Sequence, residues 1–200
     1  MDQALSDYDN LNISIDGNEV NGEETTFGAA GSILSVFAKH LKFVDPNDTA
    51  VAEMASNVVA LVSQQFCRGI ILLDGNAYAF EDFSRPTLYL KDYLSDSVKD
   101  QYGYVLDAQT RNFTGFWGDF QEGEEYNTDW MYNMGEQMVL YGTFRYPDND
   151  EEIVRYMKAG KRFLERFLAY SDGTGDGFKP DGTGFHHWTA YDGYMYTLTT

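Results

Sequence analysis

The sequence predicts an all-α protein built as an incomplete (α/α) toroid of antiparallel helical hairpins. Three observations carry that expectation. Apolar residues recur at spacings of three and four along several stretches of helical length. Strand signals are few. The helical pairs are of similar size and return at a period of roughly 50 to 60 residues, with turn-rich segments between them. A ring of such hairpins places its loops on one rim, where a cleft can form. Closing the ring takes more helices than 200 residues supply. The expected organisation is therefore a polar lead-in or linker over residues 1–25, then residues 26–200 as part of an unclosed toroid.

Residues 1–25 are polar and acidic and read as loop. From Ala30 the apolar positions Ile33, Leu34, Phe37, Leu41 and Val44 trace a helical stripe, which "DPND" stops before a second helix begins. Val51, Met54, Ala55, Val58, Leu61, Val62 and Phe66 form that second stripe, and the two helices make a hairpin. The lone Cys67 ends the apolar run "VALVSQQFC" and reads as a buried thiol; one cysteine permits no internal disulfide. In the middle of the chain "LYLKDYLSDSVKD" predicts a short helix after Pro86, and "TRNFTGFWGDFQEGEE" an aromatic loop. "NTDWMYNMGEQMVLYG" predicts a helix capped by Asn127 or Thr128. "DNDEEIVRYMKAGKRFLERFLAY" is the clearest helix, with acids in its first turn, bases after them, and a stripe of Ile153, Tyr156, Met157, Gly160, Phe163, Leu164, Phe167 and Leu168. Residues 171–184 are a Gly/Asp loop, and a last helix is expected to begin near His187.

Charge and composition narrow the partners. The net charge is −18, so nucleic acid and anionic membrane surfaces are poor partners. A polyanionic substrate is also repelled at long range unless the site carries local donors. Aromatic residues make up 16% of the chain, with 15 Tyr and 14 Phe. Such a surplus lines clefts that hold sugars, or else fills an aromatic core. No apolar run reaches membrane-spanning length, and "MDQALSDYDN" has neither the basic nor the hydrophobic region of a signal peptide.

The stretch "DGFKPDGTGFHHWTAYDGY", residues 176–194, concentrates the chemistry. Asp172, Thr174 and Asp176, with Gly177, match the first half of a calcium-binding loop, but Thr183 stands where that loop needs a bidentate Glu. His186 and His187 are adjacent, and adjacent residues of a helix point about 100° apart, which disfavours a shared metal. A structural role, aromatic residues capping a helix, is open at each of these positions. So is acid–base catalysis. His187 and Tyr194 are seven apart, two turns of a helix, and can share one face. A histidine near neutral pKa takes a proton, and a phenol gives one.

The same stretch resembles the signature D-G-x-x-x-D-G-[ST]-x-x-x-H-x(6)-Y of polysaccharide lyase family 8, in particular its chondroitin sulfate ABC lyase branch. The upstream block "YNTDWMYNMGEQMVL", followed by an acidic loop and a helix, is similar to that branch as well. The likeness extends over roughly residues 105–200 and is loose before them. It implies the toroidal catalytic domain of a larger lyase that cleaves chondroitin, dermatan or hyaluronan by β-elimination, leaving a 4,5-unsaturated uronate. It implies His187 and Tyr194 as the catalytic pair. Asn127 then corresponds to a carboxylate-binding Asn, with helix N-cap as the competing role. Trp117, Trp130 and Trp188 are candidates to stack on sugar faces, or core residues. The resemblance further implies an exported, monomeric protein whose partner is an anionic polysaccharide. No cofactor is required on this reading, no metal site is assigned, and calcium is the one cation left open. Two features depart from the family. Its Arg and Glu follow the Tyr at a distance that falls beyond Thr200, so these 200 residues alone are expected to be inactive. Its dermatan-active members carry histidines near the position where this chain has "YAFEDFSRP", leaving Arg85 and Ser84 there to meet an anionic sugar. A toroidal glycoside hydrolase using carboxylates among Glu122, Glu124, Glu125 and Asp129, and a noncatalytic sugar-binding helical domain, remain as alternatives.

Overall fold

Two neighbouring glutamines order a segment expected to be a loop. Residues 1–25 form helix α1 (Asp2–Asp9) and a hairpin of strands β1 (Ser14–Asp16) and β2 (Glu19–Asn21). The strands pair antiparallel with Asp16 opposite Glu19, and Gly17, at φ +60°, supplies the left-handed backbone of the tight turn. Ala4, Leu11 and Val20 are buried beneath this layer. Gln64 accepts from the Val20 amide at 2.9 Å and donates to the Asn18 carbonyl at 2.9 Å. Gln65 accepts from the Thr25 amide at 3.1 Å and donates to the Glu23 carbonyl at 2.8 Å. The clamp is invisible to periodicity, because it consists of side-chain amides meeting backbone groups forty or more residues away in sequence.

The computed structural model describes residues 1–74, 78–114, 128–167, 177–178, 184–186 and 189–190. It is all-α in class, and the chain divides into two units, Met1–Phe113 and Thr114–Thr200.

In the first unit, α2 (Phe27–Phe43) and α3 (Thr49–Cys67) carry the two stripes read from the sequence. Each begins at a side-chain cap. Thr26 accepts from the Ala29 amide, and Asp48 accepts from the Val51 amide, both at 3.1 Å. The Val51 amide holds the Asp48 carboxyl below its ordinary pKa, and His40, whose Nε2 lies 3.0 Å from Asp48 Oδ2, acts in the same direction against partial burial. Ile33, Leu34, Phe37, Leu41, Val51, Ala55, Val58, Leu61 and Val62 are buried as expected. Val44 is not: it is 73% exposed, because the helix ends at Phe43 and the chain turns away. Cys67 is likewise exposed, at the last turn of α3, although partial burial still raises its thiol pKa.

The middle of the chain is more helical than its pattern predicts. Helix α4 (Tyr78–Tyr89) begins well before Pro86 and contains it. A proline inside a helix withholds an amide from the carbonyl four residues earlier, here that of Asp82. That carbonyl faces Gly31 of α2, at a crossing so close that a Cβ on Gly31 would lie 2.5 Å from the Asp82 oxygen. Phe27, Phe80 and Phe83 pack edge to face and tilted around this crossing, with ring centroids 5.1–6.4 Å apart. Lys91–Tyr93 forms a single 3-10 turn, and α5 (Asp96–Thr114) brings Tyr102 against Phe83. Burial pushes the Tyr102 phenol far above its ordinary pKa.

In the second unit, α6 (Thr128–Arg145) and α7 (Asp150–Phe167) form a hairpin held together by glycines. A Cβ on Gly160 would lie 2.6 Å from the Gly135 carbonyl oxygen, and one on Gly142 would lie 2.6 Å from Tyr156 Cβ. The rings of Tyr146 and Tyr156 stack at 5.7 Å and 11°, with Tyr141 at 4.8 Å from Tyr156. Tyr156, Ala159, Gly160 and Phe163 face inward, whereas Met157, expected in the stripe, is 42% exposed. The expected final helix is replaced at Thr189–Ala190 by a strand. Strands β3 (Gly177–Phe178), β4 (Gly184–His186) and β5 (Thr189–Ala190) form an antiparallel sheet in sequence order.

Candidate functional site

Residues 176–194, expected from the sequence to hold the site, follow the α6–α7 hairpin in the chain. β3 and β4 pair with Phe178 opposite Gly184, and β4 and β5 pair with His186 opposite Thr189. The short polar residues of "DGFKPDGTG" suit the link between β3 and β4, and β-branched Thr189 suits a strand. β5 lies between His187 and Tyr194 in the sequence, at positions where a helix was expected. His187, Trp188, Tyr194, Asn127 and Trp117 themselves lie outside the described residues, as does the calcium-like run from Asp172 to Asp176 and the position Thr183. Trp130 and Asp129 fall in the first turn of α6. Glu122, Glu124 and Glu125 lie outside the described residues. Among the described residues, no group of three or more His, Cys, Asp and Glu side chains is placed to hold a metal ion, and no helix is long and apolar enough to cross a membrane.

Arg85 and Ser84 are sequence-derived candidates whose side chains have a described setting, and the two differ. Arg85 lies on α4, with a guanidinium nitrogen 3.1 Å from the buried carboxylate of Glu81 and another 3.9 Å from Asp82. Ser84, its neighbour, is fully buried and does not reach the surface. Helical geometry separates the two, since consecutive residues point about 100° apart.

Arg85 borders a cleft of about 230 Å³ between α2 and α4. Ser35, Ala38, Lys39, Lys42 and Phe43 line it from α2, and Arg85, Pro86 and Tyr89 from α4. The Lys42 ammonium lies 4.5 Å from the Tyr89 ring centroid and 5.3 Å from that of Phe43. Both rings are well exposed, at 63% and 74%. Lys39, Lys42, Phe43 and Tyr89 are not singled out by sequence reasoning. The available signal is faint: two lysines three apart beside an aromatic, at the end of a helix in an acid-rich chain. Only the crossing at Gly31 brings Tyr89 to them.

A family model described as "Lyase, catalytic" matches residues 124–199. The match supports a lyase enzyme. It takes in α6, α7, the three strands and the residues that include His187 and Tyr194. No curated protein matches the chain, and no solved structure does.

Proposed function

We propose that the protein is part of a polysaccharide lyase of family 8, similar to the chondroitin sulfate ABC lyase branch, that cleaves uronate-containing glycosaminoglycans by β-elimination. The observation that carries this reading is the lyase match over residues 124–199, which coincides with the Asp-Gly, His and Tyr signature of residues 176–194. The helical hairpins accord with the (α/α) toroid of the proposed whole domain.

The chemistry follows from the substrate. The C5 proton of a uronate is barely acidic while its carboxylate bears full charge. Asn127 is proposed to donate to that carboxylate and so stabilise the enolate-like transition state; one preorganised donor of this kind is worth about 3 kcal/mol. His187 or ionised Tyr194 removes the proton, and Tyr194 delivers one to the departing glycosidic oxygen. The electron pair of the C5–H bond becomes the 4,5 double bond as the C4–O bond breaks. Arg85, Trp117, Trp130 and Trp188 are proposed to contact the polysaccharide. The proposal requires no cofactor and places a monomeric enzyme in the secreted or periplasmic compartment, with neither nucleic acid nor membrane as a partner.

The test uses the natural protein that contains these residues, incubated with chondroitin and with hyaluronan. Elimination produces a conjugated double bond and a rise in ultraviolet absorbance; hydrolysis produces new reducing ends without that rise. The rise is expected to be lost in His187→Ala and Tyr194→Phe. Folded protein that gives no rise on any uronate polymer refutes the lyase reading.

A further inference from the structure

The α2–α4 cleft has a composition unlike the rest of the chain. Acids outnumber bases by 32 to 14, yet three bases meet here. Among the described residues, Lys39 and Lys42, like Arg68, Lys91, Lys158 and Arg162, have no carboxylate within salt-bridge distance, and both line the cleft. Lys42 instead lies over two exposed aromatic faces, an arrangement that leaves its charge available to an incoming anion. The cleft volume, about 230 Å³, is below the roughly 300–1,000 Å³ of pockets that enclose drug-sized ligands. It suits one ring of a chain that continues past it.

We propose that this cleft binds one acidic sugar residue of a polysaccharide, with Lys39 and Lys42 meeting its carboxylate or sulfate and Tyr89 and Phe43 meeting the apolar face of its ring. The ligand class rests on the function proposed above; the existence of an anion-binding aromatic cleft rests on its own geometry. An aromatic face stacks against the C–H face of a pyranose, and an adjacent ammonium selects a charged ring over a neutral one. The site also answers the charge problem. A protein with a net charge of −18 repels a polyanion at long range, and a local pair of uncommitted ammonium groups is what allows the polymer to dock. Nucleic acid is disfavoured by the same charge.

The test is calorimetric titration of the 200-residue chain with a chondroitin hexasaccharide, with maltohexaose and with poly-glutamate, at low and at physiological salt. Lys39→Gln/Lys42→Gln and Tyr89→Ala change exposed positions, and each variant is checked by circular dichroism. Chondroitin binding is expected to weaken about 10-fold in each variant and to fall with added salt. Maltohexaose is expected not to bind. Wild-type protein that does not bind chondroitin, or variants that bind as the wild type does, overturn the proposal. Poly-glutamate binding as tight and as sensitive to the variants identifies an acidic peptide as the occupant and overturns it too. Retained cleft binding in a parent protein that forms no double bond sinks the lyase reading alone. Double-bond formation with binding indifferent to the lysines sinks the cleft alone.

Discussion

Replacing Gly31 by alanine tests the α2–α4 crossing and everything it positions. In an unconstrained helix interior the change is favourable by about 1 kcal/mol. Here the new Cβ would lie 2.5 Å from the Asp82 carbonyl oxygen, 2.6 Å from its carbon and 2.8 Å from the Phe83 nitrogen. All three are backbone atoms, so no side-chain rotation relieves the overlap. A carbon–oxygen contact is comfortable only beyond about 3.3 Å, so the helices must separate by the better part of an ångström. A gap of that size forfeits a quarter to a half of the dispersion energy across the facing surfaces, which here include Phe27, Phe80 and Phe83. Overpacking of this kind costs roughly 1–3 kcal/mol. Set against the propensity gain, the net loss is about 0–2 kcal/mol, a fall of up to a few degrees in Tm for a chain of this length. Gly28 is the internal control. It lies three residues earlier in the same helix, and its added Cβ would have only Ala79 Cβ nearby, at 3.9 Å. Urea denaturation followed by circular dichroism should show Gly31→Ala destabilised and Gly28→Ala neutral or slightly stabilised. A Gly31→Ala midpoint at or above that of Gly28→Ala would refute the reasoning.

Other expected outcomes follow from the same geometry. Gln65→Ala strands the Thr25 amide and the Glu23 carbonyl, costs about 1–3 kcal/mol, and should make residues 1–25 the first to be cut in limited proteolysis. Gly160→Ala forces α6 from α7 at Gly135 and should lower the denaturation midpoint despite better helix propensity. Asp48 has a depressed pKa in the folded state, so its contribution is present above the ordinary carboxylate value and lost as pH falls through the folded one. Asp48→Asn keeps a capping oxygen but not the titration, and should flatten the loss of stability measured between about pH 5 and pH 3. Tyr102 has the opposite sign. Its raised pKa favours the protonated phenol in the folded state, so stability declines as pH rises past about 10, where the unfolded phenol ionises. Tyr102→Phe should make that alkaline decline shallower in denaturation curves collected across it.

Helix positions were legible wherever a stripe is long and capped. α2, α3 and α7 lie where periodicity places them, because a helix needs one apolar face and local sequence writes that face directly; α6 carries no such stripe and lies where its capping residues mark a start. α4 was not legible. Its proline argues for a helix start, whereas the helix runs through it, with the freed Asp82 carbonyl facing Gly31 of α2. The β4–β5 pairing was missed because strands of two and three residues are too short to show alternation. For the candidate site, the signature of residues 176–194 was readable as spaced Gly, Asp, His and Tyr, and the lyase match covers it. The pairing of Lys42 with Tyr89 was not, since it joins residues 47 apart in sequence across a helix crossing.

By itself, then, the sequence determined the all-α class, four of the helices, the net charge, and the residue types of the stretch that the lyase match covers. Each of these depends on composition or on neighbours within a few residues. Tertiary structure alone decided that glutamines 64 and 65 order the N-terminal segment, that Ser84 is buried beside an accessible Arg85, and that two lysines and two aromatic rings form a cleft. Those features come from contacts between distant segments, set by where glycine lets two backbones meet, and no local pattern of residues encodes such a meeting.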